Sequence, residues 1–262
     1  MGSLGLNLCQ RKYALDILHE SRFLSCKPAS TPMITGQRLD KGDGVALSDP
    51  GSYRQLVGRL LYLTATRPEI SYAVQQLSQF VDVLTSTHMS AAHHVLRYIK
   101  RAPRQGIFYP KGDHMQLNVF SDSDWVTCST TRKSITGFCV FLGKAFVSWR
   151  SKKQATADLE RPSTLFCDNK SAMAIAENHV FHEKTKHIEI DCHIVRDKVA
   201  QGLVKLLYIP SSSQIADGFT KALPTSQFAL FVSKLGVQNL HTIQLRGVLE
   251  DETYKENKSV VK

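Results

Sequence analysis

Three aspartates occupy positions from which their carboxylates could hold a divalent cation. Asp122 follows an apolar run ending at Phe120, Asp168 follows the apolar run 164–167, and Asp217 lies early in a segment that patterns as a helix. Carboxylates at strand ends and in a first helical turn can converge on Mg²⁺, which takes a few protein oxygens and completes its shell with water and phosphate. Two such ions about 3.5–4 Å apart can activate water for phosphodiester cleavage and stabilise the leaving oxygen.

The same aspartates also have ordinary structural uses. Asp168 could cap the helix that follows it, and Asp217 could interact favourably with a helix dipole. Asp122 and Asp124 could lie in a polar turn, although strand alternation would place both on one face of a sheet. Residue type and spacing alone favour these structural roles, so the metal-binding interpretation needs support from the rest of the chain.

The elements that would position the aspartates differ between the two halves of the chain. Four segments in the first hundred residues show the apolar spacing of helices, and a proline- and glycine-containing loop, 27–49, follows the first of them, 11–24. The residues suited to begin the other three helices are Ser52, Pro68, and Ser86 or Thr87. This pattern predicts a small helical subdomain.

After residue 104 the pattern changes to short β-type runs separated by glycine and polar turns. The predicted strands are 106–109, 116–120, 135–142, 145–149, 164–167 and 203–209, and the predicted helices are 170–177, 187–201 and 214–223. Three neighbouring strands followed by alternating helices and strands predict the α/β class, with a mixed sheet carrying helices on its faces.

The composition is that of a globular protein with a polyanionic partner. Hydrophobic residues make up 42% of the chain and charged residues 21%, and the formal net charge is +10. Such a surplus favours nucleic acid, because each neutralised phosphate releases counterions. No apolar run is long enough to span a membrane, the first residues do not resemble a secretory signal, and the six cysteines are widely spaced. We therefore expect an intracellular protein, cytoplasmic or nuclear, with reduced thiols and no membrane partner.

Two basic clusters are candidates for phosphate contacts. The candidate nucleic-acid-binding residues are Arg97, Lys100, Arg101, Arg104 and Lys111 in the first cluster, and Arg150, Lys152 and Lys153 in the second. Such contacts would fix the position of a duplex without reading its sequence. The alternative is a solvated helix end and loop. The histidines at 182, 187 and 193 do not share a helical face, so a zinc site is not predicted there.

Several ordered motifs resemble the Pol polyproteins of copia-type retrotransposons. The segments that carry the resemblance are Tyr53-Arg-Gln-Leu-Val-Gly-Arg-Leu-Leu-Tyr62, Thr66-Arg-Pro-Glu-Ile-Ser-Tyr-Ala73, Ser121-Asp-Ser-Asp-Trp125, Arg132-Lys-Ser-Ile-Thr-Gly137, Phe166-Cys-Asp-Asn-Lys-Ser-Ala172, Thr185-Lys-His-Ile-Glu-Ile190 and Ala216-Asp-Gly-Phe-Thr-Lys221. In that family such segments belong to the end of the reverse transcriptase and to the ribonuclease H domain that follows it. The resemblance runs in order from about residue 8 to residue 247.

The resemblance implies a ribonuclease-H-like mixed sheet preceded by a helical subdomain. The implied organisation is the end of a reverse transcriptase domain (1–26), a linker (27–50), a helical connection subdomain (51–104), a ribonuclease-H-like domain (105–225) and a C-terminal extension (226–262) that is disordered at its end. The implied activity is Mg²⁺-dependent hydrolysis of RNA in RNA–DNA hybrids, with two ions held by Asp122, Asp168 and Asp217. The implied partners are the hybrid, or another nucleic acid, and other parts of the polyprotein.

One catalytic segment of that family has no counterpart here. The resemblance places a fourth acid, a glutamate, in a Ser-Ser-Thr-Glu-Ala-Glu-Tyr segment after the third strand. This chain has no such segment and passes from residues 152–156 through 157–161 straight into the strand that follows Pro162. The acids nearby, Asp158 and Glu160, do not match that motif. A link this short could cross the sheet only when taut and without a helix, so one sheet face would lose its cover. No Tyr-x-Asp-Asp polymerase motif occurs either.

We therefore expect ribonuclease H activity to be absent or very weak in this chain. Two alternatives remain open at this stage: a non-catalytic remnant that binds nucleic acid, and a decayed open reading frame. A third interpretation is that the gap is an artefact of gene prediction, which sequencing the transcript across residues 153–162 would decide.

Overall fold

The computed structural model describes residues 5–37, 39–40, 43–80, 82–112, 115–124, 135–151, 163–177 and 197–239. These residues form two compact units. The first unit contains the described residues up to Lys111 together with those from Pro224 onward, and the second runs from Gly112 to Leu223. The chain is of the mixed α/β class, as the sequence predicts, with helices concentrated in the first unit and a five-stranded sheet in the second.

The described part of the first unit is built mainly from five α-helices. In chain order its elements are β1 (Gly5–Leu8), α1 (Arg11–Glu20), α2 (Pro50–Leu63), a 3₁₀ turn (Pro68–Ile70), α3 (Ser71–Ser78), α4 (Ser86–Arg101), β2 (Gln105–Pro110), α6 (Thr225–Lys234) and β8 (Val237–Asn239). The apolar residues spaced three and four apart in α1 to α4 are buried against one another, which confirms the predicted helical stripes. None of the described helices combines the length and apolar character needed to cross a bilayer.

Two helices are capped by residues other than those predicted, whereas α1 begins at Arg11 and Pro68 stands in a first turn, as predicted. Asp49, not Ser52, caps α2, because its carboxylate accepts hydrogen bonds from the backbone N–H groups of Gly51 and Ser52. Thr85, rather than Ser86 or Thr87, caps α4 in a capping box with His88. Several adjacent residues could have served at each start, and the path of the preceding loop decides which one does.

A small antiparallel sheet completes the first unit, and the sequence analysis did not predict it. β2 pairs with β1 on one side and with β8 on the other. The sequence pattern predicts 106–109 as one of the strands of the second unit. In the structure this strand is β2, and it pairs within the first unit. β1 and β8 contain only four and three residues, and such short runs give too little alternation to be recognised.

An ion pair is buried in the first unit between the 3₁₀ turn and the end of α4. The side chains of Arg67 and Glu69 are 1% and 0% exposed, and Arg67 Nε lies 2.5 Å from Glu69 Oε1. Arg67 Nη1 also donates to the carbonyl oxygen of Ala102, and Gln105 Nε2 donates to Glu69 Oε1. The ring of Tyr98 lies 5.7 Å from the Arg67 guanidinium carbon. The pair therefore joins the turn at Pro68 to the connection between α4 and β2.

His88 makes the first unit sensitive to acid. Its side chain is fully buried, and its Nδ1 accepts the backbone N–H of Thr85. Burial lowers the pKa of His88, and the more distant Asp43 carboxylate acts in the opposite direction. A folded-state pKa below the unfolded value of about 6.5 means that stability is full above pH 6.5 and is lost as the pH falls below it.

Below pH 6.5 we expect protonation of the His88 imidazole in the unfolded chain to lower the free energy of unfolding of the first unit. The decrease should be at most about 1.4 kcal/mol for each pH unit. The measurement is urea unfolding followed by helical circular dichroism between pH 8 and 5. His88→Asn keeps an acceptor near the position of Nδ1, so the variant should lose less stability over the same interval. Equal slopes for parent and variant would contradict the assignment.

The second unit contains a five-stranded mixed sheet. Its elements in chain order are β3 (Leu117–Asp124), β4 (Ile135–Leu142), β5 (Ala145–Ser151), β6 (Ser163–Cys167), α5 (Lys170–Glu177), β7 (Val204–Tyr208) and two 3₁₀ turns (Ser211–Ser213 and Ile215–Phe219). The strand order is β5-β4-β3-β6-β7, with β3, β4 and β5 antiparallel and β6 and β7 parallel to β3. This is a ribonuclease-H-like arrangement. In this order β5 lies at an edge and β6 on the far side of β3.

The two faces of this sheet are covered to different extents. On the face that carries Phe120 and Asp122, which we call the acidic face, Cys139, Phe141 and Phe146 are buried. Strand alternation places a second apolar set on the opposite face. Each of the following side chains of that set is only partly buried: Leu117, Val119, Phe138, Val140, Leu142, Leu165 and Leu206. None of these seven side chains is fully buried, so the opposite face is less well covered than the acidic face.

The predicted helix at 214–223 is wrong. The structure has a 3₁₀ turn at Ile215–Phe219 instead, capped by the Gln214 side chain, which accepts the backbone N–H of Ala216. Gly218 within the segment disfavours an α-helix, and tight packing of the turn on β4 selects the shorter form. Of the predicted helix at 187–201, residues 187–196 lie outside the described residues. Residues 197–200 are helical, and the helix ends before Gly202, whose φ of +71° is the left-handed conformation that favours glycine after a helix.

Candidate metal centre

The structure brings Asp122, Asp168 and Asp217 together. One carboxylate oxygen from each lies within 4.8 Å of the others, and all three side chains are partly buried. These are the three aspartates that the sequence analysis singled out, although they are separated by 46 and 49 residues. The side chain of Asp124 lies outside the described part of the structure. Within the described residues, this is the one cluster of acids, histidines and cysteines close enough to share a cation.

The register of two parallel strands places Asp122 and Asp168 side by side. Phe120 of β3 pairs with Phe166 of β6, and their rings stack with centroids 4.7 Å apart. Each aspartate lies two residues beyond its phenylalanine, so both continue along the same face of the sheet at the same level. The stacked rings therefore help to hold β3 and β6 in the register that brings the two carboxylates side by side.

Asp217 reaches the cluster on the 3₁₀ turn that packs over β4. A Cβ atom at Gly137 would lie 2.8 Å from Phe219 Cβ and 2.9 Å from Thr220 Cγ2, so the close approach of the turn requires glycine. Gln214 Nε2 donates to the carbonyl oxygen of Ser121 in β3. Thr220 is fully buried and donates its hydroxyl hydrogen to Asp122 Oδ2. These contacts anchor the turn on both sides of Asp217.

The two carboxylate oxygens of Asp217 have different surroundings. Oδ2 forms an ion pair of 2.9 Å with Lys221 Nζ, whereas Oδ1 is buried without a hydrogen-bond partner among the described atoms. Burial raises the pKa of Asp217 to about 6; Lys221 lowers it, and the negative charges of Asp122 and Asp168 raise it. An unpaired buried carboxylate oxygen beside two other carboxylates is energetically unfavourable unless a cation or proton joins it.

This arrangement fits a hard divalent cation. All three donors are carboxylate oxygens, which Mg²⁺ prefers, and Asp217 Oδ1 has no competing hydrogen bond. The structural alternative for Asp168 does not apply, because the side chain of Asn169 accepts the backbone N–H of Ala172 at the start of α5. The alternative for Asp217 fails as well, since no α-helix begins beside it.

The predicted basic residues occupy both units. Arg97 Nε donates to the carbonyl oxygen of Lys27, so this side chain ties the loop after α1 to α4. Four further members of the first cluster are partly or fully exposed: Lys100, Arg101, Arg104 and Lys111. Arg150 is exposed on β5 of the second unit. Lys152 and Lys153 lie outside the described residues. Their role in binding nucleic acid stays a prediction.

Sequence reasoning missed three residues that build the site. Gly137, Thr220 and Lys221 contact the turn or the aspartates, and none of them was selected as a functional residue. All three stand inside motifs already quoted for the resemblance, which was the available signal. Their roles depend on which atoms they approach across the sheet, and a linear pattern does not contain that information.

Comparison with known proteins identifies relatives over most of the chain. The retrovirus-related Pol polyproteins from transposons RE1 and RE2 of Arabidopsis thaliana are 38% and 36% identical to it over 264 residues, covering 89% of this chain. An uncharacterised mitochondrial protein of the same plant is 42% identical over 161 residues, 61% of this chain and 65% of that protein. No family model matches, and no solved structure matches significantly.

The alignment with the RE1 protein has 264 positions but includes 89% of these 262 residues, about 233, so about 30 positions have no counterpart here. The chain spans 18% of the length of the RE1 and RE2 polyproteins. From the ordered motifs, the sheet and this similarity, we conclude that the chain belongs to the copia-type family of retrovirus-related Pol polyproteins.

Proposed function

We propose that the second unit is a ribonuclease-H-type unit that binds Mg²⁺ and RNA–DNA hybrid but cleaves the hybrid weakly or not at all. The observation that carries the proposal is the convergence of three carboxylates within 4.8 Å, one of them with a buried oxygen that lacks a partner. Asp122, Asp168 and Asp217 would hold the metal. The reaction would be hydrolysis of a phosphodiester bond in the RNA strand, with water as the nucleophile.

Each residue of the site would have a distinct role in such a reaction. A bound Mg²⁺ would supply activation of water and stabilisation of the leaving oxygen. Thr220 orients Asp122 through its hydroxyl group, and the 3₁₀ turn holds the Asp217 carboxylate at the cluster. The exposed basic side chains, Arg150 in this unit among them, would contact backbone phosphates.

The expected weakness of the reaction follows from the incomplete set of acids. The resemblance calls for four, and three are present in matching motifs. With one ligand fewer, a second ion would be held by fewer protein oxygens, and two-metal catalysis depends on both ions being in place. Binding of one Mg²⁺ and of the hybrid does not need the ligands of a second ion, whereas two-metal cleavage does.

The test is cleavage of a labelled RNA–DNA hybrid by the full chain in Mg²⁺ and in Mn²⁺. We expect at most a trace of cleavage, abolished by Asp122→Asn, together with hybrid binding measured in the same samples. Folded protein is shown by circular dichroism and by the thermal transition. Turnover comparable to an intact ribonuclease H would contradict the proposed impairment, and a trace that survives Asp122→Asn would assign it to a contaminant.

A second candidate function is binding of nucleic acid without any metal chemistry. The net charge of +10 and the exposed basic residues of both units favour it. In this case hybrid affinity should fall steeply with salt and should not change when Mg²⁺ is removed or when Asp122→Asn is introduced. Absence of salt-dependent binding would leave a decayed reading frame as the remaining interpretation.

A further inference from the structure

We infer that Lys221 is a resident counter-ion of the acidic cluster, which stabilises the metal-free site and raises the Mg²⁺ concentration needed to fill it. This inference rests on the proposed function, since it assigns a regulatory residue to the proposed Mg²⁺ site. Lys221 would not touch substrate or the reacting atoms. It would act through Asp217, with which it forms its ion pair.

The contacts give Lys221 a place beside the cluster. Its ammonium lies 2.9 Å from Asp217 Oδ2, on the carboxylate whose other oxygen is buried and unpaired. The side chain of Asp217 is 14% exposed and that of Lys221 is 45% exposed. The ammonium therefore approaches the carboxylate from its more exposed side, while Oδ1 keeps no competing hydrogen bond among the described atoms.

The ion pair between Lys221 and Asp217 affects cation binding through the balance of charge at the cluster. Three carboxylates within 4.8 Å repel one another when ionised, and one ammonium offsets part of that repulsion. A divalent ion bound at Oδ1 would then lie near a fixed positive charge. The same ammonium that stabilises the metal-free site must therefore weaken the binding of Mg²⁺ to it.

Positioning of Asp217 does not depend on Lys221 alone. The turn that carries Asp217 is fixed by its packing against Gly137, by the Gln214 bond to β3 and by the buried Thr220. Removing the charge of Lys221 should therefore leave Asp217 in place. A residue that only positioned Asp217 would have the opposite effect, because its loss would weaken cation binding.

The experiment is Mg²⁺ titration of the full chain by calorimetry, at pH 8, for the parent, Lys221→Gln and Lys221→Arg. Glutamine keeps most of the length and can still donate to Asp217 Oδ2, and arginine keeps the charge. We expect the midpoint of Lys221→Gln to be about tenfold lower than that of the parent, from partly screened Coulomb repulsion. Lys221→Arg should stay near the parent. Lys205→Gln, an exposed position on β7, serves as the matched loss of charge.

Thermal unfolding supplies a second readout that does not require cleavage. Without metal, Lys221→Gln should unfold at a lower temperature than the parent, and saturating Mg²⁺ should raise its Tm by more. If Lys221→Gln does not fold, Lys221→Met is used instead, because it removes the charge without adding a polar group. Its Mg²⁺ midpoint should likewise be about tenfold lower than that of the parent. A midpoint for the uncharged variants equal to or higher than that of the parent would overturn the inference and leave the proposed function intact. No Mg²⁺ response in the folded parent would overturn both.

Discussion

Replacing Glu69 with glutamine should destabilise the first unit by about 3–5 kcal/mol, the range for breaking one partner of a buried ion pair. The variant leaves the guanidinium of Arg67, which is 1% exposed, without its counter-charge in the interior. Two further groups, Gln105 Nε2 and the Ala102 carbonyl, would have to reorganise around it. Stability of a domain is of the order of 5–15 kcal/mol, so the loss should be visible directly in unfolding.

The chain allows the effect to be assigned to one unit. Trp149 lies on β5 of the second unit, and Trp125 falls within the sequence range of that unit but outside the described residues. Most of the described helical residues belong to the first unit. Urea unfolding followed by circular dichroism at 222 nm should shift to lower urea in Glu69→Gln. Tryptophan fluorescence should keep the midpoint of the parent.

The control is the double variant Arg67→Met with Glu69→Leu. Removing both charges leaves no ion buried alone, so we expect it to be more stable than Glu69→Gln. A loss below about 1 kcal/mol in Glu69→Gln would show that water reaches Arg67 or that the pair does not form. A double variant as unstable as Glu69→Gln would assign the loss to packing instead of charge.

The buried pair also shows where prediction from the sequence ends. The helical segments could be predicted because each carries a local apolar stripe, and the stripes of α2, α3 and α4 are buried as predicted. Arg67 and Glu69 look like ordinary surface residues in the sequence, since charged side chains are almost never fully buried. Their burial depends on α4 and β2, which begin 17 and 36 residues after Glu69.

The candidate site was predictable to a similar extent. Asp122 and Asp168 follow recognisable strands, and strands that pair in parallel bring their ends together, so their meeting follows from fold class. Asp217 was selected through its motif, although the helix predicted around it is a 3₁₀ turn. The capping residues and the contacts of Thr220 and Lys221 depend on atomic distances across the sheet, which neither periodicity nor composition specifies.

The opposite face of the second unit's sheet leads to the second large expected effect. Seven apolar side chains on that face are only partly buried, and Val147 and Tyr208 at its margins are 42% and 48% exposed. Only eleven residues, 152–162, stand between β5 and β6 in the sequence, although the two strands lie on opposite sides of β4 and β3. A helix in this connection would cover the face, since crossovers of this kind usually contain one.

We therefore expect a chimaera in which the residues between Gln154 and Pro162 are replaced by the segment that joins the corresponding strands of the RE1 polyprotein to gain both stability and activity. Burying the remaining exposed part of seven apolar side chains should stabilise the second unit by about 2–4 kcal/mol after the ordering of the helix is subtracted. Tryptophan fluorescence during urea unfolding measures this gain. Cleavage of RNA–DNA hybrid in Mg²⁺ should rise by at least about a hundredfold if the fourth acid returns with the segment.

A matched chimaera in which the motif glutamate of the restored segment is changed to glutamine separates the two effects. It should keep the gain in stability, because the helix still covers the apolar face, and it should lose the gain in cleavage. Stability without cleavage in the unmodified chimaera would mean that the three aspartates no longer support catalysis. A chimaera no more stable than the parent would show that the opposite face is already covered, and the proposed cause of the impairment would then be wrong.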